Sequence, residues 1–242
     1  MSLFSLLKKY KSNKPPTCTV VIAAAGLSKR CEGEDKLFFE VCGKPVLAHT
    51  IDVFQKCALV NDIIIVSQEE KFESIGALCK KYGFSKVSKA MKGGETRLES
   101  VINGVYAASS KAKLIAIHDG ARPCIDLNII EETIRKAADY LAAAPAVPIT
   151  STVKNVEDSV ILNTVEREGL YEVQTPQIFR AEIIKAALTN AIKKSIAVTD
   201  DCLAAEIIGV PVHIVEGSRK NIKITERADL QIAEAFLKKE IF

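Results

Sequence analysis

Small residues followed by cations occur near the start of the chain. The segment A-A-A-G-L-S-K-R-C occupies residues 23–31, and Lys29, Arg30 and Lys36 place positive charge within and after it. Small residues at the carboxyl end of a strand let a ligand approach the backbone, whose exposed N–H groups can bind phosphate. The spacing is neither G-x-G-x-x-G nor G-x-x-x-x-G-K-[ST], so it supports neither a dinucleotide-binding Rossmann site nor a P-loop. We predict a phosphate-binding loop; a solvated basic loop is the alternative.

A carboxylate and a guanidinium follow the third predicted strand, in the segment I-H-D-G-A-R-P (residues 117–123). A carboxylate at this position points into the crevice where open α/β sheets bind ligands. Asp119 is therefore a candidate Mg²⁺ ligand, and Arg122 is a candidate phosphate-binding residue beside it. The alternative is structural, because the two side chains could pair only to hold the turn before Pro123.

Hydrogen-bond donors are dense in two later segments. Between residues 150 and 179 the donors suited to an anionic, hydroxylated substrate are Thr152, Lys154, Arg167, Thr175 and Gln177. A solvated β-hairpin has the same composition and is the alternative for that region. In the segment E-G-S-R-K-N-I-K-I-T (residues 216–225), Lys223 stands in a strand-like stretch between Ile222 and Ile224. Its side chain is therefore predicted to point opposite to both.

The composition limits the class of protein. A chain of 242 residues that is 48% hydrophobic and 26% charged can bury one substantial core. No apolar run reaches the roughly 18 residues that cross a bilayer, so we expect a soluble protein without a membrane partner. The formal net charge is +3, but four lysines and no acid in residues 1–17 leave 29 basic against 30 acidic groups elsewhere. A near-neutral body offers no electrostatic surface to nucleic acid.

Cysteine and histidine usage points to a reducing compartment and a hard metal. Seven cysteines are dispersed without a C-x-x-C pair, which indicates free thiols and a cytoplasmic protein. The histidines are not spaced as zinc ligands, so any metal should be bound by carboxylate and phosphate oxygens. Residues 1–17 form a basic N-terminal extension in which charge follows apolar residues, the reverse of a secretory signal. A frayed amphipathic extension is favoured there, and a targeting segment for a plastid-type organelle is the alternative.

Apolar runs alternate with helical periodicity, which indicates a mostly parallel sheet covered by helices on both faces. The predicted strands are Thr19–Ala25, Asp62–Val66, Lys113–His118, Ala146–Ile149 and Val210–Val215. The predicted helices are Pro45–Ala58, Phe72–Tyr82, Arg97–Ala108, Leu127–Ala143, Ala181–Lys193, Asp200–Ile208 and Arg227–Lys238. The expected fold class is α/β, with a Rossmann-like three-layer α/β/α arrangement.

Residues 150–175 interrupt this alternation. Polar and β-branched residues alternate there, with turn signals at Asn155–Asp158 and Glu168–Gly169. This pattern is typical of a hairpin. We therefore predict a β-arm that projects from the sheet and is inserted into a single domain over residues 18–242.

The segments that carry chemistry recur in an order that characterises one family. They are A-A-A-G-(x)3-R, Lys36 followed by G-K-P-V-L, G-G-E-T-R-(x)2-S-V, H-D-G-A-R-P, Q-T-P-Q-x-F, T-D-D and N-I-K-I-T. From about Thr17 to the C-terminus the chain resembles the 2-C-methyl-D-erythritol 4-phosphate cytidylyltransferases of the non-mevalonate isoprenoid pathway. Each motif is short, but the ordered set is specific. The resemblance implies transfer of CMP from CTP to methylerythritol phosphate, with release of pyrophosphate.

The resemblance also implies roles for individual residues. Arg30 and Lys36 would bind the triphosphate and stabilise charge on the α-phosphorus, Asp119 would bind Mg²⁺, and Lys223 would orient the substrate phosphate. The cytidine pocket would consist of Ala24, Ala25, Gly26, Gly94, Glu95 and Ser100. The substrate side would consist of Arg122, Thr175 and Thr199, together with Thr152 and Arg167 from the arm. These two arm residues would reach the substrate bound to the partner subunit of a homodimer.

Three positions depart from the family's pattern. Ser28 stands where glycine is expected, Asp35-Lys36-Leu37 stands where Pro-Lys-Gln is frequent, and Ser151 stands where aspartate is common. The first two concern the phosphate loop, and the third concerns the arm.

Two alternative functions stay open. An enzyme of the same fold that attaches cytidylate to ribitol 5-phosphate would share the phosphate-binding residues, although N-I-K-I-T and the arm motifs favour methylerythritol phosphate. A catalytically silent binding protein on this scaffold is the second alternative. It is disfavoured because it would have no chemical need for all of Arg30, Lys36, Asp119, Arg167 and Lys223.

Overall fold

Apolar, β-branched runs form the centre of the sheet, as their composition predicts. In the computed structural model, which describes residues 17–26 and 35–238, the strands are β1 (Cys18–Ala23), β2 (Glu40–Val41), β3 (Lys44–Pro45), β4 (Val60–Ser67), β5 (Val87–Lys92), β6 (Leu114–Asp119), β7 (Ala142–Pro148), β8 (Val153–Glu157), β9 (Val160–Val165), β10 (Tyr171–Val173), β11 (Gln177–Arg180) and β12 (His213–Glu216). One sheet has the order β10-β7-β11-β6-β1-β4-β5, and β12 also pairs with β7. Strands β1, β4, β5 and β6 pair in parallel, whereas β11 is antiparallel to both β6 and β7. The predicted mostly parallel sheet is confirmed.

Helices cover both faces of this sheet. They are α1 (Val46–Lys56), α2 (Phe72–Tyr82), α3 (Arg97–Ala107), α4 (Leu127–Tyr140), α5 (Ala181–Lys193), α6 (Asp201–Ile207) and α7 (Arg227–Lys238). Alternate residues of β1 point to opposite faces of the sheet. Val20 and Ile22 belong to an apolar cluster with residues of α1, α2, α4 and α7. Val21 belongs to a second cluster with residues of α3, α5 and α6. The three-layer α/β/α class predicted from the sequence is confirmed.

The alanine-rich stretch after α4 differs from the prediction. Helix α4 ends at Tyr140, and Leu141 adopts a positive φ of 77° that no α-helix continues. Ala142, Ala143 and Ala144 then lie in β7, each at most 2% exposed. Alanine has a high helix propensity, but a strand enclosed by helices on both faces requires small side chains there, and tertiary packing outweighs the local preference. The predicted helix Leu127–Ala143 is therefore too long at its C-terminal end, and the predicted strand Ala146–Ile149 begins too late.

Other elements were missed or displaced, among them β5, β11 and β12. Strand β5 lies at the edge of the sheet and contains Ser88, Lys89 and Lys92, so its sequence lacks the apolar run that marked the other strands. Strand β11 is only four residues long. It begins directly after Pro176 and the predicted arm, so its sequence does not stand out as a separate strand. The strand predicted at Val210–Val215 is shorter and later, at His213–Glu216.

The predicted arm contains a hairpin. Strands β8 and β9 pair only with each other, and their turn places Asp158 and Ser159 at positive φ values of 48° and 65°, as a tight hairpin requires. Strand β10 returns to the main sheet beside β7. Within the described residues, no helix has both the length and the apolar character that a membrane span requires. The basic extension over residues 1–17 lies, apart from Thr17, outside the described residues.

Candidate active site

The carboxyl ends of β1, β4, β5 and β6 meet at one edge of the sheet beside a cleft of about 640 Å³. Ligands bind at this edge of open α/β sheets. The segments after these strands form most of the wall, and the turn at Lys36 and the segment at Lys223 form another part of it. The cleft is lined by nine residues that the sequence singled out: Ala24, Ala25, Gly26, Lys36, Gly94, Glu95, Ser100, Asp119 and Lys223.

One wall of the cleft is the start of α3. Thr96 is the N-cap of this helix, and its hydroxyl accepts a hydrogen bond from the Glu99 N–H while the Glu99 carboxylate accepts from the Thr96 N–H. The same carboxylate accepts from the Glu95 N–H over 2.7 Å, and the Ser100 hydroxyl accepts from the Gly94 N–H over 3.0 Å. These contacts fix the backbone at a helix N-terminus, an environment that stabilises anions.

Gly93, which follows β5, lies very close to the side chains of Ala25 and Ser100. A Cβ atom at Gly93 would lie 2.5 Å from the Cβ atom of Ala25 and 2.8 Å from the Ser100 Oγ. Only glycine therefore allows the segments after β1 and β5 to come this close, and both segments line the cleft.

Asp119 ends β6 and lies among positive charges. Its Oδ2 is 3.0 Å from Lys223 Nζ and 3.5 Å from Arg122 Nε. Burial acts to raise the pKa of Asp119, but the charges of Lys223, Arg97 and Arg122 outweigh it, so this pKa lies below its ordinary value. The carboxylate is ionised at neutral pH and available to a cation or a cationic side chain.

Two buried polar side chains, those of Thr175 and His118, form a hydrogen-bonded chain that begins at the Asp119 backbone. The Thr175 Oγ1 accepts a hydrogen bond from the Asp119 N–H over 3.1 Å and lies 3.1 Å from His118 Nδ1. Burial lowers the pKa of His118 to about 4, so the ring is neutral. Its Nε2 lies 3.3 Å from the Arg122 carbonyl, which can only accept, so Nε2 carries the proton and Nδ1 accepts from Thr175. Thr175 was predicted to line the substrate pocket; its hydroxyl is instead engaged in this internal chain.

The segment that carries Lys223 is held against the loop after β6. Arg122 Nη1 donates to the Asn221 carbonyl over 2.6 Å, and the Ile224 N–H donates to the Ala121 carbonyl over 2.8 Å. This segment is not a strand, so the strand-like assignment is wrong, because these isolated contacts replace a continuous ladder. The predicted side-chain orientation holds, since Ile224 is fully buried while the Lys223 side chain is 42% exposed and lines the cleft.

An ion pair between Arg97, which lines the cleft and is partly exposed, and the buried Asp201 was not predicted. Arg97 Nη1 and Nη2 donate to the two carboxylate oxygens of Asp201 over 3.1 and 2.7 Å. Asp201 is held in turn by Gln177, whose Oε1 accepts from the backbone N–H groups of Asp201 and Cys202 over 2.9 Å each. Burial opposes the charge on Arg97, but the Asp201 carboxylate outweighs it and raises the Arg97 pKa. The signal was present, because both residues stand in the recurring motifs G-G-E-T-R and T-D-D, although neither Arg97 nor Asp201 was assigned a role.

Several predicted residues do not join this cleft. Thr152 and Thr199 are exposed, and the guanidinium of Arg167 donates to the Thr150 carbonyl at the base of its own arm. None of the three lines the cleft formed by the described residues. Arg30 lies outside the described residues.

The donor set of the cleft fits one kind of metal site. Among the described residues, no three Asp, Glu, His or Cys side chains converge to hold an ion by themselves. Mg²⁺ does not require such a cage, because it is commonly bound by one or two carboxylates together with substrate phosphates. The ionised Asp119 at the cleft wall fits that mode of binding.

A parallel sheet whose carboxyl edge holds a helix N-terminus, an ionised carboxylate and flanking lysines defines a nucleotide-binding α/β enzyme. The profile of the 2-C-methyl-D-erythritol 4-phosphate cytidylyltransferase family matches residues 18–239. The chain belongs to this family.

Individual relatives agree with this assignment. A protein of Halalkalibacterium halodurans with that name is 42% identical over 220 residues, which cover 90% of this chain and 96% of the relative. A Dehalococcoides mccartyi protein of the same name is 44% identical over 220 residues, which cover 90% of this chain and 95% of the relative.

Solved structures are also similar. The crystal structure of 4-diphosphocytidyl-2C-methyl-D-erythritol synthase from Anaerococcus prevotii superposes with a TM-score of 0.82 at 29% identity, covering 93% of this chain and 97% of that one. The 2-C-methyl-D-erythritol 4-phosphate cytidylyltransferase from Thermus thermophilus superposes with a TM-score of 0.78 at 28% identity, covering 92% and 99%.

Proposed function

We propose that the chain transfers CMP from CTP to 2-C-methyl-D-erythritol 4-phosphate, giving 4-diphosphocytidyl-2-C-methyl-D-erythritol and pyrophosphate, in isoprenoid precursor biosynthesis. The observation that carries the proposal is that the predicted nucleotide-binding residues line the same cleft as Asp119 and Lys223, in a chain of this family. Asp119 and Lys223 are 3.0 Å apart on that wall, so a negative and a positive group stand side by side. Such a pair suits two reactants that both carry phosphate.

The chemistry requires positioning and charge neutralisation more than proton transfer. The attacking group is a phosphate dianion, so no general base is needed. In this proposal Lys36 and Arg30 bind the triphosphate and stabilise the charge that develops on the α-phosphorus. Lys223 orients the substrate phosphate for in-line attack, and Arg122 contacts the substrate side. The neutral, buried His118 agrees with a reaction that uses no histidine as acid or base.

We place the nucleotide and the metal as follows. Backbone groups of residues 24–26 and 93–96, with Ser100, read the cytosine and hold the ribose. Asp119 would hold Mg²⁺, which would supply positive charge that offsets the repulsion between the two anionic reactants.

The arm completes the proposal for the substrate side. Thr152 and Arg167 reach the methylerythritol phosphate of the partner subunit in a homodimer, and Thr199 lines the same pocket. The support is the exposed apolar surface of the hairpin, where Val156, Val160, Ile161 and Leu162 are 57–61% exposed. The described cysteines are all free thiols, which agrees with a cytoplasmic location.

The deciding experiment offers CTP with either methylerythritol phosphate or ribitol 5-phosphate and measures pyrophosphate release. We expect faster turnover of methylerythritol phosphate and loss of activity with EDTA. Faster turnover of ribitol phosphate would overturn the substrate assignment and leave the reaction class intact. No release with either alcohol would favour a silent binding protein. An unchanged rate in EDTA would remove the metal role of Asp119.

A further inference from the structure

The turn that carries Lys36 is anchored on both sides. Asp35 Oδ1 accepts a hydrogen bond from the Leu37 N–H over 3.1 Å, and the Asp35 carbonyl accepts from the Phe38 N–H over 2.9 Å. Leu37 is 4% exposed, and its carbonyl accepts from the Leu47 N–H over 2.9 Å. Lys36 therefore lies between Leu37, which is packed in the core, and Asp35, whose carboxylate is held by an ion-pair partner.

That partner is Lys71. Its ammonium lies 2.6 Å from Asp35 Oδ2, and the two side chains are only 19% and 18% exposed. Oδ2 is buried and has no aligned hydrogen-bond donor among the described residues, so the ammonium charge is what compensates it. Lys71 ends a 3₁₀-helix, Glu69–Lys71, whose Glu69 and Glu70 line the cleft. The pair therefore joins the wall after β4 to the Lys36 turn.

A second ion pair in the same region shows why this one matters. Lys92 and Glu69 approach to 3.2 Å, but their side chains are 72% and 67% exposed. Exposed pairs contribute little because water screens them and both side chains lose freedom. The Asp35–Lys71 pair is largely shielded, and removing one partner would leave a buried charge uncompensated.

We propose that Lys71 is a positioning residue, which through Asp35 holds the turn that presents Lys36 to the triphosphate. The inference rests on the proposed function, in which Lys36 stabilises charge on the reacting phosphate. Proline, frequent at this position in the family's pattern, would restrict φ of the residue before Lys36 by itself. This chain has aspartate there, and the ion pair supplies the restraint.

The first test is a set of single variants in steady-state kinetics with CTP and methylerythritol phosphate. Lys71→Met keeps the aliphatic stem and removes the charge, and kcat should fall about tenfold, because small displacements of a catalytic group are costly. The KM for methylerythritol phosphate should not change. Asp35→Asn retains an oxygen for the Leu37 N–H but loses the ion pair, so it should show the same fall. Lys71→Arg should stay within about threefold of wild type.

Two controls distinguish a positioning role of Lys71 from a general effect of removing a lysine charge and from loss of the folded structure. Lys80→Met removes an exposed lysine from α2 and should have wild-type kinetics. Thermal unfolding of each variant reports whether it folds. If Lys71→Met does not fold, Asp35→Asn still decides, since unchanged kcat in that variant overturns the proposal.

A double-mutant cycle gives the sharper result. Lys71→Met should cost about tenfold in the wild-type background and nothing further in a Lys36→Ala background, because the residue acts only through Lys36. An equal loss in both backgrounds would overturn this inference and leave the proposed function standing. A wild-type protein that releases no pyrophosphate from these substrates would instead contradict the proposed function itself.

Discussion

At the scale of single residues, the charged groups of the cleft are arranged around Asp119. The motif H-D-G-A-R-P indicated Asp119 and Arg122 as candidates, because they stand at and just after the end of a strand within one short segment. Lys36 and Lys223 were likewise predicted from local motifs. Arg97 was not, since the carboxylate that orients it is 104 positions away along the chain. A local pattern indicates which residues end a strand, but it does not indicate which distant side chain will hold them.

His118 gives a pH prediction at this scale. Its pKa is about 4 in the folded protein because burial disfavours the charged ring, against about 6.5 when exposed. Between these values the unfolded chain binds a proton that the folded protein does not, so stability falls as the pH falls through this window. The loss from this one group should be roughly 2.5 kcal/mol by pH 4.5.

The measurement compares urea unfolding of wild type and His118→Asn at pH 7 and pH 4.5. Asparagine retains an acceptor for the Thr175 hydroxyl but does not titrate. The variant should lose about 2.5 kcal/mol less than wild type between the two pH values. Equal losses would show that His118 is not kept neutral by the fold.

At the scale of elements, helices were predicted better than strands. The bounds of α2, α5 and α7 agree with the prediction, because each has an amphipathic period over three or more turns. Strand β7 was misassigned at its start because buried alanines carry no local mark that distinguishes strand from helix. Strand β5 was missed because the polar residues Ser88, Lys89 and Lys92 interrupt its apolar run. In both cases the assignment depends on which element packs beside the strand, and the local sequence does not specify that.

The contact between the segments after β1 and β5 gives a prediction at this scale. Gly93→Ala would place a Cβ atom 2.5 Å from that of Ala25, so one of the two segments must move and the cleft that they line must change shape. We expect kcat/KM for CTP to fall about tenfold or more, the usual effect of a misplaced methyl group in a tight pocket.

The matched control is Gly76→Ala in α2, where nothing lies within 4 Å of the new Cβ atom. Alanine is favoured over glycine in a helix by about 1 kcal/mol, so this variant should be slightly more stable with unchanged kinetics. If Gly93→Ala also has wild-type kinetics with CTP, the close approach does not shape the nucleotide site.

At the scale of the whole molecule, the alternation of strands and helices was enough to predict the three-layer class. The position of the site also followed, because parallel strands place their carboxyl ends at one edge. The arm was predicted only as an interruption of that alternation. Its partner could not be read from the sequence, since an exposed apolar hairpin does not specify what packs on it.

The last prediction concerns assembly. If arms cross in a homodimer, each site combines Lys36 of one subunit with Arg167 of the other, because one surface serves both sides of a twofold interface. In the single chain the Arg167 guanidinium donates to Thr150 of its own arm, so a site built within one subunit is the competing arrangement. Mixing the Lys36→Ala and Arg167→Ala proteins, each of strongly reduced activity, under conditions of subunit exchange distinguishes the two.

With crossing arms, a mixed dimer has one site with both defects and one with neither. Random exchange makes half of the dimers mixed, so activity should recover to about a quarter of wild type. The control mixes Lys36→Ala with Asp119→Asn, whose side chains line the cleft of the same subunit. Every site in that mixture has a defect, and no recovery is expected. Recovery in the control would mean that the cleft itself is shared between subunits. Exchange without recovery in the first mixture would place Arg167 in its own subunit's site and refute the crossing arm.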